Sequence, residues 1–82
     1  MELKDTIEGM TSDDYIERFK AEYNQVSIRL NKLATMLDNY HKKELPFTLE
    51  CPITLLEVQA GLMVKYKDVL RARAKYEGIK LD

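Results

Sequence analysis

The chain has 82 residues, one cysteine, one histidine and a formal net charge of −1. These counts exclude an intramolecular disulfide, argue against a Cys/His zinc site and disfavour binding to DNA or RNA. We therefore expect a single small domain over residues 1–82, in a reducing and cytoplasmic setting, with no cofactor and no metal.

Residues 1–11 form an N-terminal extension in which charged and apolar residues alternate. The extension contains no apolar run of the length that a signal peptide or a membrane span requires. We expect neither of these, and no membrane partner.

The first predicted helix covers residues 12–43. Thr11 or Ser12 is expected to cap it, and Asp13 and Asp14 lie where the helix dipole favours negative charge. Its apolar residues recur at spacings of three and four, with polar residues on the opposite face, which is typical of a coiled-coil seam. The seam consists of Ile16, Phe19, Tyr23, Val26, Leu30, Leu33, Leu37 and Tyr40.

Residues 44–51 break the helical period. Leu45, Phe47 and Leu49 alternate with polar residues or proline, and three apolar side chains in so short a connection predict a loop packed over the ends of the helices. The second predicted helix covers residues 52–77, with Cys51 at the cap, Pro52 at the first helical position and a left-handed glycine after the last turn.

Together these elements predict an all-α fold, an antiparallel two-helix coiled-coil hairpin. Two long helices alone expose much of their surface and leave little net stability. The second helix also carries more apolar residues than one neighbour can cover. We therefore expect the hairpin to be completed as a helical bundle by homo-oligomerisation, most simply by a dimer.

The sequence contains no recognisable catalytic constellation. His41 has no nucleophile or metal ligand at helical spacing, no carboxylate pair is forced into one cleft, and the three glycines match no phosphate-binding loop. Cys51 is expected to be a small, half-buried residue near a helix start. We expect the protein not to be an enzyme.

One group of residues suggests a binding site near one end of the hairpin. Aromatic rings stack on bases and arginine binds phosphate, so an oligomer that gathers such residues would enclose a small anionic nucleotide. The candidate residues are Tyr23, Arg71, Arg73, Lys75 and Tyr76. The alternative is that Arg73 pairs with Glu22 or Asp14 and that nothing binds there.

Three stretches carry a resemblance to a known family: DYIERFKAEY at residues 14–23, FTLECP at residues 47–52, and RARA with EGI at residues 71–74 and 77–79. The chain resembles small phage and prophage proteins named after a crAss-like phage gene product. The likeness covers residues 14–81 and implies a phage setting and a compact helical protein, without catalytic residues. Residues 1–11 depart from the pattern and are expected to form an added arm or a turn of helix that packs on a neighbouring subunit.

Two classes of function fit these observations. By analogy of fold, the first is a counter-defence protein that holds a nucleotide messenger of bacterial immunity at subunit interfaces, in the host cytoplasm, without altering it. The second is an inhibitor or adaptor that docks a host or phage protein on an exposed helix face.

Overall fold

The computed structural model describes residues 1–81. The regular secondary structure of these residues is entirely helical and includes no strand. A 3₁₀ turn at Leu3–Thr6 leads into the short helix α1 at Ile7–Met10, and the two long helices follow as α2 at Tyr15–His41 and α3 at Ile53–Glu77. The sequence predicted the two long helices, and a turn of helix was one of two alternatives for the segment that precedes them. The molecule measures 42 × 24 × 20 Å along its principal axes.

Helix α2 begins three residues later than predicted, because Asp14 is its cap. The Asp14 side chain accepts a hydrogen bond from the backbone N–H of Ile16 at 3.0 Å. The two residues expected to cap the helix form hydrogen bonds within the preceding turn instead. The Ser12 hydroxyl accepts from the N–H of Asp14, and the Thr11 hydroxyl donates to the carbonyl of Ile7.

Helix α2 ends at His41, which is one of the two end points, His41 and Lys43, that the sequence pattern allows. Lys43 has a left-handed backbone with φ of 60°. This conformation allows the N–H of Glu44 to bond the carbonyl of Asn39 at 2.8 Å, which satisfies a carbonyl that the helix end leaves free.

Helix α3 starts one residue after the predicted position. Pro52 has an extended backbone with ψ of 138°, so it is the cap residue, and Cys51 lies outside the helix. At the other end the prediction is confirmed: Gly78 is left-handed with φ of 70°, and the N–H of Ile79 bonds the carbonyl of Ala74 at 2.9 Å. Ile79 is buried beside the last turn, as the Schellman motif requires.

Replacement of Gly78 by alanine is expected to lower the free energy of unfolding by about 1 kcal/mol, because a Cβ is disfavoured at positive φ. Urea denaturation followed by circular dichroism measures the change. Gly61→Ala is the matched control, since Gly61 lies within α3 and has open space where a Cβ would be. There alanine is expected to raise stability by up to about 1 kcal/mol. Equal effects at the two glycines would contradict the assigned cap.

The loop between the long helices packs only in part. Leu45 and Leu49 are half-buried, but Phe47 is 56% exposed. The expectation that all three apolar side chains fold over the helix ends is therefore wrong for Phe47.

The core lies at the end of the molecule where α2 starts and α3 finishes. Leu70 of α3 is 1% exposed and lies at the centre of one apolar cluster. Its neighbours come from α2, from the last turns of α3 and from the residues just after α3. The cluster consists of Phe19, Val26, Leu70, Ala74 and Ile79. Contacts described below join the start of α2 to the end of α3, so the two helices run antiparallel.

The seam of α2 is buried unevenly. Phe19 and Val26 are buried, whereas Ile16 and Tyr40 at its two ends are exposed. Helix α3 separates its apolar residues onto two faces. Leu56, Met63 and Leu70 are at least partly buried, while the row formed by Leu55, Leu62, Val69 and Tyr76 is exposed.

Residues 1–11 pack on α2 of their own chain, where the sequence suggested a neighbouring subunit. The approach is close, since a Cβ added to Gly9 would lie 3.0 Å from the Cβ of Ala21. The sulfur of Met10 accepts a hydrogen bond from Gln25 at 3.2 Å, and Thr6 is buried. Within residues 1–81, no helix has both the length and the apolar character needed to cross a bilayer.

Candidate functional site

Arg73 lies at the centre of a cluster that joins the end of α3 to the start of α2. Its Nη2 donates to the hydroxyl of Tyr15 at 3.0 Å, and its Nε donates to Oε2 of Glu77 at 3.3 Å. The guanidinium carbon stands 5.0 Å from the ring centroid of Phe19, in the range of a cation–π contact. Three neighbours therefore hold the guanidinium in one orientation.

Tyr15 and Glu77 complete this cluster. The Tyr15 hydroxyl donates to Oε1 of Glu77 at 2.6 Å, and the Tyr15 and Phe19 rings lie 6.2 Å apart at 59°. Tyr15 and Phe19 are four residues apart on α2, and Arg73 and Glu77 are four apart on α3, so each pair shares a helix face. We name Tyr15, Phe19, Arg73 and Glu77 the Arg73 cluster.

The Arg73 cluster shifts the pKa values of Tyr15 and Glu77 in opposite directions. The hydrogen bond from Tyr15, assisted by the hydrogen bond and charge of Arg73, lowers the pKa of Glu77. The hydrogen bond to Glu77 raises the pKa of Tyr15. At neutral pH the site therefore holds a neutral phenol, a carboxylate and a guanidinium.

Replacement of Tyr15 by phenylalanine is expected to move the pKa of Glu77 up towards its ordinary value, because the largest cause of the shift is removed. A lowered pKa in the folded protein means that ionised Glu77 contributes stability above the unfolded-state pKa. This contribution is lost as the pH falls through the folded-state pKa. An NMR titration of the Glu77 carboxyl carbon measures the change.

Tyr40→Phe is the control for that titration, because Tyr40 lies at the far end of α2. It should leave the Glu77 curve in place. A Glu77 curve that is the same in wild type and Tyr15→Phe would contradict the assigned hydrogen bond.

A second group lies on the other flank of the contact between α2 and α3. Arg71 donates from Nε to the Tyr23 hydroxyl at 3.0 Å, and the ammonium of Lys67 stands 5.5 Å from the Tyr23 ring centroid. Arg71 is also 3.8 Å from Asp68. We name Tyr23, Lys67, Asp68 and Arg71 the Tyr23 group.

The five residues predicted for the site thus do not meet at one point of the subunit. Tyr23 and Arg71 are in contact, but Arg73 lies in the Arg73 cluster, and Lys75 and Tyr76 are exposed. Tyr23 is in contact with Arg71 rather than with Arg73. Arg73 pairs with Glu77, and not with Glu22 or Asp14 as the alternative reading of the sequence proposed. Glu22 instead accepts a hydrogen bond from the hydroxyl of Tyr66.

Sequence reasoning missed five members of these groups, namely Tyr15, Phe19, Lys67, Asp68 and Glu77. The spacing of four between Arg73 and Glu77 was a usable signal for that ion pair. Tyr15 had no local signal, since its place opposite Glu77 depends on the register of the two helices.

The Arg73 cluster is an open surface on the single chain. Tyr15 is 46% exposed and the Arg73 side chain is 47% exposed. A small anion bound there would meet protein on one side and water on the other. At the opposite end of the molecule, Tyr40, His41 and the loop line a shallow pocket of about 500 Å³. His41 lies 3.2 Å from Glu57 there.

Comparison with known proteins gives one family. The family model described as Sequestin matches residues 13–76, which include all of α2, the loop and α3 except Glu77. No curated protein and no solved structure gives a significant match. The match shows neither a phage source nor a link to a crAss-like phage gene product. Because it covers more than half of the chain, the protein belongs to the Sequestin family.

Proposed function

We propose that the protein is a non-enzymatic binding protein that sequesters a small anionic nucleotide at subunit interfaces. In this proposal the nucleotide is a messenger of bacterial immunity, and the protein is phage-encoded and acts in the cytoplasm of the host. The family name is consistent with a sequestering role. The messenger, the source and the location are our inference.

The observation that supports the proposal most strongly is the fixed guanidinium of Arg73 between aromatic rings. Its face lies over Phe19 and one edge bonds the Tyr15 hydroxyl. A planar cation held in this way loses little conformational entropy when it binds a phosphate oxygen. The exposed ring of Tyr15 also offers a flat surface on which a base can stack.

The half of α3 that carries the site is basic, which favours an anion despite the net charge of −1. Between Lys65 and Lys75, helix α3 carries five basic residues and one acidic residue, Asp68. In the free subunit Glu77 occupies one edge of Arg73. A phosphate would take the place of this carboxylate and form charge-assisted hydrogen bonds with the same donors.

Sequestration needs only these binding contacts. No residue is assigned the role of a nucleophile or general base, and the bound nucleotide is released without chemical change. Because the Arg73 cluster is open in one subunit, tight binding requires a second subunit to cover it. This requirement is why the proposed site lies at a subunit interface.

Isothermal titration calorimetry with cyclic dinucleotides and ADP-ribose-type nucleotides tests the proposal. We expect saturable binding of at least one compound, and chromatography of the heat-denatured complex should recover that compound intact. Absence of binding across the panel would contradict the proposal. Conversion of the compound to a product would show an enzyme instead.

The second candidate function is docking of a host or phage protein, as an inhibitor or adaptor. The exposed apolar row on α3 favours it, since such a row fits a groove of another protein. Recovery of one stoichiometric protein partner by pull-down, together with no response to any nucleotide, would select this function over the first. Neither function involves DNA, RNA or a membrane.

A further inference from the structure

The exposed row on α3 has the pattern of a second helix interface. Leu55, Leu62, Val69 and Tyr76 recur every seven residues, and they are 59%, 62%, 56% and 92% exposed. Two apolar residues, Val58 and Ala72, and one charged residue, Lys65, lie between them at the spacing of the second coiled-coil position, and Val58 is 58% exposed. We name the six apolar residues the α3 row.

We propose that the α3 row binds the same row of a second copy of this chain, so that two α3 helices pack antiparallel at the centre of a dimer. This inference deepens the proposed function, on which its account of the nucleotide site rests. The dimer itself can be measured without any nucleotide.

The pattern of the row fits a helix as its occupant. A repeat of seven residues sustained over residues 55–76 keeps one face turned towards a neighbouring helix along about 32 Å of α3. The other seven-residue row of α3, which includes Leu70, already faces α2 in this way. One helix therefore has two apolar faces, and only one of them is covered.

A second copy of the chain is the partner that is available to cover the α3 row wherever the protein is present. The described residues bury few apolar side chains, namely Phe19, Ala21, Val26, Leu70, Ala74 and Ile79. A domain of this size gains much of its stability from additional burial. A row of this length that stayed exposed between encounters with another protein would favour aggregation.

The distribution of charge along α3 favours an antiparallel arrangement of the two α3 helices. The half of α3 from Lys65 to Lys75 is strongly basic, whereas the half from Ile53 to Val64 carries only Glu57. A parallel pair would place the two basic halves side by side and would set Lys65 against its own copy. An antiparallel pair places each basic half beside the weakly acidic half of the other copy.

The antiparallel order also gives the nucleotide site its second wall. In the register that sets Tyr76 beside Val58 of the second copy, Leu62 lies beside Ala72 and Lys65 lies beside Val69. Tyr76 belongs to the row and Arg73 precedes it by three residues, so both lie at the edge of the interface. The dimer then has two equivalent sites, one at each end of the α3 pair.

Sedimentation equilibrium of the full chain without nucleotide tests the interface. Wild type should be a dimer at micromolar concentration, and Leu62→Glu should raise the dimer dissociation constant by about 100-fold or more, since the charge enters the interface twice. Val64→Glu is the matched control: Val64 is 46% exposed on another face of α3 and should leave the dimer intact. Circular dichroism should show equal helix content in all three proteins.

A wild-type monomer at tens of micromolar would overturn the inference, and so would a dimer that Leu62→Glu does not weaken. Failure of nucleotide binding with an intact dimer would contradict the proposed function alone.

Disulfide cross-linking tests the orientation in a Cys51→Ser background. Tyr76→Cys mixed with Val58→Cys should form a mixed disulfide dimer, whereas Tyr76→Cys alone should not cross-link. Efficient cross-linking of Tyr76→Cys with itself would show a parallel pair and overturn the antiparallel arrangement.

Discussion

Replacement of Leu70 by alanine is expected to lower the free energy of unfolding by about 3 kcal/mol. Leu70 is the most buried large side chain among the described residues, at 1% exposure. Truncation removes its apolar burial and leaves a cavity among its neighbours in the core. Because a domain of this size has roughly 3–5 kcal/mol of stability, the variant should retain only about 0–2 kcal/mol, so that between a few per cent and half of the molecules are unfolded without denaturant.

Urea denaturation measures this loss, and Val64→Ala is its control. Val64 belongs to the same helix but is 46% exposed, and it lies off the α3 row. Its replacement should cost less than about 1 kcal/mol. If Leu70→Ala costs no more than Val64→Ala, the core is not centred on Leu70.

Replacement of Arg73 by alanine is expected to weaken nucleotide binding by roughly 10- to 100-fold. This range follows from the loss of a charged hydrogen-bond donor, which is worth about 1.5–3 kcal/mol. Arg73→Lys should fall between wild type and alanine, because lysine keeps the charge but loses the planar fork that fits phosphate. Calorimetry with whichever nucleotide of the panel binds wild type gives the three affinities.

The control for charge alone is Arg29→Ala. Arg29 is exposed on α2 and lies outside both the Arg73 cluster and the Tyr23 group. Its loss removes one positive charge from the chain and should change the affinity by less than about twofold, because an exposed distant charge is screened. Equal losses for Arg29→Ala and Arg73→Ala would indicate attraction by overall charge and contradict a specific role for Arg73.

Replacement of Glu77 by glutamine should have the opposite effect to Arg73→Ala and strengthen nucleotide binding. The carboxylate that shares Arg73 with an incoming phosphate is removed, while the amide oxygen still accepts from Tyr15. We expect nucleotide binding to tighten by roughly fivefold, the size of one nearby charge interaction in a solvated site. Weaker binding by Glu77→Gln would show that Glu77 contacts the nucleotide directly and does not compete with it.

The sequence predicted the long helices because their signals are local. Gly78 and the residues after it determine the end of α3 through a short-range motif, and that end is confirmed. The start of α2 was less certain, because Ser12 and Asp14 are both good caps. Ser12 serves the turn that joins α1 to α2, and this turn was not foreseen.

The site was harder to predict because it depends on the direction of each side chain around α3. Arg71 and Arg73 are two residues apart, so they point about 200° from each other around a helix. They therefore lie on opposite flanks of the contact with α2. Arg71 faces Tyr23, and Arg73 faces Tyr15 and Phe19.

The two apolar rows of α3 show a similar limit. Both rows repeat every seven residues, and the sequence alone does not determine which row faces α2. Leu70 and Ala74 pack with Phe19, which selects the row that contains Leu56 and Met63. The other row is left exposed.

A nitrogen–proton NMR correlation spectrum recorded during nucleotide titration tests the central claim most directly. Binding at the predicted site should shift the signals of residues 15–23 and 66–78, including the side-chain Nε–H of Arg73. The pocket beside His41, Leu45 and Phe47 lies at the opposite end and should stay unchanged. Shifts confined to that pocket, or no shifts with any nucleotide of the panel, would contradict sequestration by the Arg73 cluster.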